Sequence, residues 1–389
     1  MARLFQLQEN CLLLMGHNMK SFGERSSLHP LGLRHIVSLV FVLSAEYPML
    51  SYVVYNRDDM ELITACLSVA FTNLVTVTKI WTFLAYKESF WQMMHSFRQL
   101  DTKCKSYSYY AAKYEGYGYV EHGNKLATLL GRAYSISCGF TGLYFMLGPI
   151  IKIVTNSWRG VPYERELPMP MKFPFNDVES PGYEFGFVYT LFVTIFVVLY
   201  ASAVDGLFIS FAINLRAHFQ ALQQDIHLLA FGQEEQLVDK QLADVVEYHV
   251  QLLSLSRQLR HIYTPIVFGQ FFITSLEVGV IIYQIVTHLD SIMALLVYFS
   301  FFCSIMLQLF IYCYGGEIIK VESLRVGVAI QTSTWYLASN KQRRCLIFIM
   351  NRSQREVLIK AGFYEASLAN FLAILRAAMS FITLIQSIE

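Results

Sequence analysis

The chain has 389 residues, 55% of them hydrophobic and 15% charged, and a formal net charge of +1. Soluble domains carry about 25% charged residues, so this composition, with its positive mean hydropathy, reads as a polytopic membrane protein. Balanced charge excludes nucleic-acid binding through a general basic field, and no zinc-type Cys/His spacing or His-x-x-x-His pair is present. The seven cysteines are scattered, so no disulfide framework is expected, and no cofactor is implied.

The first residues, MARLFQLQENCLLLMGHNMK, hold a short apolar patch with no small-residue cleavage site after it, so a removed signal peptide is not expected. Apolar stretches long enough to cross about 30 Å of hydrocarbon fall at 33–55, 62–85, 126–153, 185–213, 262–288, 291–314 and 366–388. The expected fold is an all-α membrane protein with seven transmembrane helices. Lys and Arg concentrate in the first tail and in the loops after spans two, four and six. The opposite loops hold only Arg57, Lys152, Arg159, Arg165 and Lys172. Cytoplasmic segments retain such residues, so the N-terminus is read as cytoplasmic and the C-terminus as extracellular, the reverse of a G-protein-coupled receptor. Neither an Asp-Arg-Tyr after span three nor an Asn-Pro-x-x-Tyr in span seven is present.

Between spans four and five, Val238, Leu242, Val245, Val246 and Leu252 recur at helical spacing among charges. Span four is therefore expected to continue into the cytoplasm, turn near Gly232 and return as a second helix, packed on its own chain or against another subunit. The outer loop at 156–184 holds Pro162, Pro168, Pro170, Pro174 and Pro181, which exclude a regular helix. With Tyr163, Phe173, Phe175 and Tyr183 to bury, it reads as a lid over the outer mouth. Ionisable residues inside spans suggest function by default, but Lys79, Arg132 and Asp205 lie where snorkelling or a salt bridge costs little. Glu46 and Glu277 are deeper, and either structural or ligand-facing.

The C-terminal quarter carries specific motifs: Tyr312-Cys313, Gly316-Glu317, Glu322-Ser323, and Trp335-Tyr336 followed by Lys341, Arg343 and Arg344. Met350 with Arg352-Ser353-Gln354, Ala361-Gly362, and Phe371 ahead of Leu375-Arg376-Ala377 complete the set. This stretch resembles the insect odorant receptor family; the remainder is similar in topology and length. The resemblance implies an odorant-gated, non-selective cation channel subunit in the plasma membrane of olfactory sensory neurons. Its partners would be a small volatile odorant, membrane lipid, permeating cations and a shared co-receptor, with which it forms a heterotetramer around one pore. The short connection between spans four and five lacks the co-receptor's insertion, which points to the tuning subunit. The sister gustatory family ends in Thr-Tyr, five apolar residues and Gln-Phe. Here Met379-Ser380, FITLI and Gln386-Ser387 stand in those places, so a gustatory-type channel is the alternative. A transporter would show paired halves with broken helices and a membrane enzyme a cluster of His, Asp or Glu; neither pattern is visible.

The resemblance also implies a division of labour. Residues 1–315 would form a six-helix transmembrane bundle with the odorant pocket in its outer half, and 316–389 a cytoplasmic anchor helix and a C-terminal pore helix. The last helix would place its constriction at Thr383 with Gln386 one turn outward, their oxygens facing a partly dehydrated cation. Arg376 lies seven residues before Thr383 on the same helical face, and either extends into a water-filled vestibule or turns to a neighbouring subunit. The pocket falls between spans two, three, four and six. By depth, span two contributes Phe71 and Leu74, and span three Thr141, Tyr144, Phe145 and Gly148. Span four contributes Tyr189, Phe192 and Phe196, and span six Tyr298 and Phe302. The alternately apolar and basic segment from Lys320 to Arg355 is expected to make subunit contacts.

Overall fold

A computed structural model describes residues 4–17, 33–110, 116–160, 165–289 and 292–388. A short helix α1 (Gln6–Leu14) precedes α2 (Leu33–Ser44) and α3 (Glu46–Tyr55), which divide the first expected span at Ala45. Pro48 falls in the first turn of α3, where its missing N–H is no loss. α4 (Met60–Ala85) starts where the Asp59 carboxylate accepts hydrogen bonds from the Glu61 and Leu62 amides. α5 (Lys87–Tyr110) is too polar to span. Then come four long helices: α6 (Gly116–Arg159), α7 (Gly182–His227), α8 (Glu235–Thr287) and α9 (Ile292–Thr332). At about 1.5 Å per residue these run roughly 60–80 Å, twice the thickness of a bilayer core, so each carries far more helix than the membrane needs. α10 (Asn340–Ser353), a hairpin of β1 (Lys360–Ala361) and β2 (Tyr364–Glu365), and α11 (Leu368–Ile388) close the chain.

Among the described residues, six helical stretches are long and apolar enough to cross a membrane: Ile36–Tyr55, Met60–Ala85, Gly118–Trp158, Gly182–His227, Glu235–Thr287 and Leu295–Thr332. α11, on the seventh expected stretch, has 21 residues, and its part from Leu368 to Phe381 is apolar. The chain is a helical, multi-pass membrane protein. The boundary expected at 315/316 falls inside α9, which runs through it unbroken, because no helix-breaking residue stands there and Gly315 and Gly316 serve packing instead.

α7 is the axis of the molecule. Nearly every residue from Tyr200 to Leu222 is buried, against α1, α4, α6, α8 and α9, as suits a helix apolar on all sides. As expected, α7 continues beyond its apolar part and turns at Gly232 into α8. Gly232 has φ +90°, a conformation that costs glycine nothing and other residues a Cβ clash. At this end Lys341 of α10 pairs with Asp239 of α8 at 2.7 Å, which raises the Lys341 pKa above its usual value. A capping box between Ser339 and Gln342 starts α10.

The C-terminal motifs have structural tasks here. Glu317 Oε2 accepts the Leu368 amide at 3.2 Å and so caps α11. Gly316 lets the Ala366 carbonyl approach to where a Cβ would stand. Glu322 accepts from Gln220, Gln223 and Arg325 at 3.0–3.1 Å. Lys320 holds Glu365 of the hairpin at 3.2 Å.

The described part of the proline-rich loop, from residue 165, docks firmly at the opposite end. The Lys172 amide donates to the Pro48 carbonyl at 2.9 Å. The Cys66 thiol donates to the Pro170 carbonyl, and Asp177 holds both Lys172 Nζ and the Phe173 amide. Met169 and Met171 are buried with Ala45, Met49, Cys66, Val69 and Val193. Pro162 and Tyr163 lie outside the described residues. All seven cysteines are free thiols.

Candidate ligand cavity and pore face

Beneath this loop the bundle encloses a cavity of about 120 Å³. Three of its walls are single helical stripes at i, i+3, i+4 and i+7, the residues that share one face of a helix. α6 presents Tyr134, Ser137, Cys138 and Thr141, with Gly142 and Phe145 above. α7 presents Thr194, Val197, Val198 and Ala201, and α9 presents Phe301, Ser304, Ile305 and Gln308. Leu307 of α9, Met49 of α3, Val69, Thr72 and Asn73 of α4, and Met169 of the loop complete it. A second, wider space of about 770 Å³ lies between the loop, α4, α6 and α9. Val69, Phe145, Met169 and Phe301 border both spaces, and the Phe145 and Phe301 rings meet edge to face at 5.5 Å. The outer space is thus a vestibule to the inner cavity, divided from it by two aromatic rings and a methionine.

Two wall residues, Tyr134 and Gln308, reach a buried polar cluster behind the cavity. Asp205 Oδ2 accepts from Lys79 Nζ at 2.8 Å, the Tyr134 hydroxyl at 2.5 Å and Gln308 Nε2 at 3.0 Å, and Oδ1 accepts from the Tyr312 hydroxyl at 2.5 Å. Lys79 and Asp205 have fully buried side chains. A buried charge is tolerable when it is paired and its remaining lone pairs are filled, and here four donors surround one carboxylate. The sequence left snorkelling or a salt bridge open for each of these residues, and the structure pairs them with one another in the dry interior. Glu46 and Glu277 stand behind the wall: Glu46 accepts from Asn73 Nδ2 at 2.9 Å, and Glu277 from Thr72 Oγ1 at 2.5 Å.

Of the pocket residues expected from depth, Thr141 and Phe145 line the cavity. Tyr144, Gly148 and Tyr298, together with Phe145, line the vestibule. The remaining six border neither space. Tyr189, Phe192 and Phe196 share a different face of α7 and gather around Phe41 of α2 at ring distances of 5.6–6.0 Å. Phe302, Phe71 and Leu74 each sit one residue from a wall residue, Phe301, Thr72 and Asn73 respectively; one residue is about 100° of helical rotation, enough to turn a side chain off the wall. Sequence reasoning passed over Ser137, Ser304 and Gln308 because it searched mainly for aromatic residues, and Tyr134 because it confined the pocket to the outer half of the bundle. The signal available was the polar stripe at helical spacing inside spans three and six.

On α11, Phe371, Ile374, Leu375 and Ala378 form the face packed on α8 and α9. Arg376, Ser380 and Thr383 lie together on the exposed face, at i, i+4 and i+7. Thr383 Oγ1 donates to the Ser380 carbonyl at 2.8 Å. Ser380 is a polar member of this stripe that sequence reasoning did not single out. The side chain of Gln386 lies outside the described residues.

The family described as 7tm Odorant receptor matches this chain over residues 59–379. The chain belongs to the insect odorant receptor family. The receptor is similar to Odorant receptor 82a of Drosophila melanogaster, 62% identical over 389 residues and the whole of both chains. It is also similar to Odorant receptor 47a of the same species, 27% identical over the whole of both. Its full-length match, without an insertion between α7 and α8, puts it with the tuning receptors and not with the co-receptor. Its fold is similar to the olfactory receptor OR5 of Machilis hrabei, with a TM-score of 0.78, 16% identity and coverage of 99% of this chain and 97% of that one. The same protein in complex with eugenol superposes at 0.79, with 15% identity and coverage of 99% and 98%. At such identity the likeness concerns the fold.

Proposed function

We propose that the receptor is the odorant-binding subunit of a non-selective cation channel, assembled with a co-receptor as a heterotetramer whose pore is lined by α11. In this reading the N-terminus and α10 face the cytoplasm of an olfactory sensory neuron, and the proline-rich loop faces outward. A small volatile molecule crosses the vestibule, passes Phe145, Phe301 and Met169, and settles in the cavity. Its affinity comes from apolar surface removed from water, about 25 cal/mol per Å², and the hydroxyls of Ser137, Thr141 and Ser304 orient it. The polar stripe Arg376, Ser380 and Thr383 faces the pore, and Gln386 continues the line one turn outward. Residues 316–389 form the anchor and pore portion, and the Lys320–Arg355 segment contacts neighbouring subunits.

The observation that carries this reading is that α9 walls the cavity with one stripe and seats α11 with another, so one helix joins the ligand space to the exposed polar face. The relatives, all odorant receptors, and the eugenol bound by OR5 agree with a small organic ligand. The test records currents from cells expressing the receptor alone and with a co-receptor, against a panel of volatiles. Ligand-evoked cation currents are expected in the co-expressing cells. A response that passes only through G proteins, without a conductance, would overturn the proposal.

A further inference from the structure

We infer that Gln308 and Gln270 form a latch between the two helices that seat α11, and that an occupied cavity acts on the pore by competing for it; this rests on the channel reading above. Gln308 lies in the cavity wall, yet its amide is committed elsewhere. Nε2 donates to Asp205 Oδ2 at 3.0 Å and to the Tyr134 hydroxyl at 3.3 Å, and Oε1 accepts from Gln270 Nε2 of α8 at 3.0 Å. A ligand group that accepts from this amide must displace Asp205 or Tyr134 from Nε2, and one that donates to Oε1 shares that oxygen with Gln270.

Those partners are unequal. Asp205 keeps Lys79, Tyr134 and Tyr312 if Gln308 leaves it. Tyr134 keeps its bond to Asp205. Gln270 is fully buried, and its Oε1 already lacks a partner. Its Nε2 donates to Thr274 Oγ1 at 2.9 Å and to Gln308. Without Gln308 it keeps only Thr274, four residues on in its own helix, so α8 loses this side-chain bond to α9 when Gln308 turns to a ligand. Of the three partners, Gln270 is the one on a helix that α11 packs on.

The consequence reaches α11 because α8 and α9 are the helices it packs on. Two residues beyond Gln308, Phe310 lies edge-on to Phe371 of α11 at 5.5 Å and is stacked on Tyr314. On α8, nine residues beyond Gln270, Gly279 faces Phe381 of α11. Breaking the latch frees the two helices that seat α11 to part.

The test uses the full receptor expressed with its co-receptor, in the wild type, Gln270→Met, Gln308→Met and the double variant. The probe is a panel of medium-chain aliphatic alcohols, esters and ketones together with eugenol. Current is normalised to surface receptor by biotinylation. Gln270 does not line the cavity, so its substitution cuts the latch and leaves ligand contacts in place. Each single variant should raise ligand-free current at least about threefold, and Gln270→Met, which leaves Gln308 in the wall, should lower the half-activating concentration by a similar factor. For ligand-free current the double variant should add nothing further, since each single variant already breaks the Gln270–Gln308 bond. Gln270→Leu serves as the second variant should Gln270→Met fail to reach the surface. Unchanged ligand-free current in the Gln270 variants, with a shift in half-activating concentration confined to Gln308→Met, would overturn the latch and leave Gln308 a wall contact. Failure of the channel reading shows separately, as no conductance in the wild type.

Discussion

At the residue scale, the cavity separates aromatic rings that touch its volume from rings that pack elsewhere at the same depth. Phe145 borders both cavity and vestibule, whereas Phe196 packs against Phe41. Phe145→Ala is expected to weaken activation by about 1–3 kcal/mol of lost ligand burial, a rise in half-activating concentration of roughly five- to 150-fold. Phe196→Ala should shift it by less than about twofold; dose-response curves with surface labelling check both. The Lys79–Asp205 pair obeys a different logic. Removing one partner leaves an uncompensated charge in the dry interior, at a cost of about 3–5 kcal/mol, whereas replacing both by apolar groups costs less. Lys79→Met is therefore expected to abolish surface expression, and Lys79→Met with Asp205→Leu to restore part of it, as read by surface biotinylation.

At the element scale, α11 shows how one helix serves two media. Its packed face holds Phe371, Ile374, Leu375 and Ala378, and its exposed face the stripe from Arg376 to Thr383. Seven residues at 100° each bring Arg376 and Thr383 to within about 20° of one another, with roughly 10 Å of rise between them. If the stripe faces a pore, a fixed positive charge there lowers the local cation concentration, and salt screens the effect. Arg376→Gln should raise single-channel conductance at low ionic strength, with the gain shrinking in high salt. Unchanged conductance together with reduced assembly would assign Arg376 to a subunit contact.

At the scale of the whole molecule, the long helices carry a second region beyond the membrane-spanning part. There α10 is held to α8 through Lys341 and Asp239, and to its own preceding turn through Arg343, which donates to the Tyr336 carbonyl at 2.7 Å. Arg344, Ile347 and Phe348 are exposed beside it, basic and apolar by turns, a surface suited to a neighbouring subunit. Reversing Arg343 and Arg344 to Glu is expected to reduce co-assembly at least severalfold, measured by pull-down of the co-receptor. Normal pull-down would place the subunit contact elsewhere.

The sequence by itself determined where the apolar helices lie, the return at Gly232, the docking of a proline-rich loop and, through the motifs from Tyr312 to Ala377, the family. These are local matters: transfer free energy adds along a span, a left-handed turn asks for glycine, and proline forbids helix wherever it falls. Only the tertiary structure decided which face of each helix meets the cavity. α7 is apolar all round, so no amphipathic stripe reveals its rotation, and Tyr189, Phe192 and Phe196 had the right depth with the wrong angle. Nor could spacing show that Lys79 and Asp205, 126 positions apart, would meet at 2.8 Å with Tyr134, Gln308 and Tyr312 around them. A buried charge finds its partners through the packing of whole helices, and that packing is settled by the sum of contacts across the bundle rather than by any one segment.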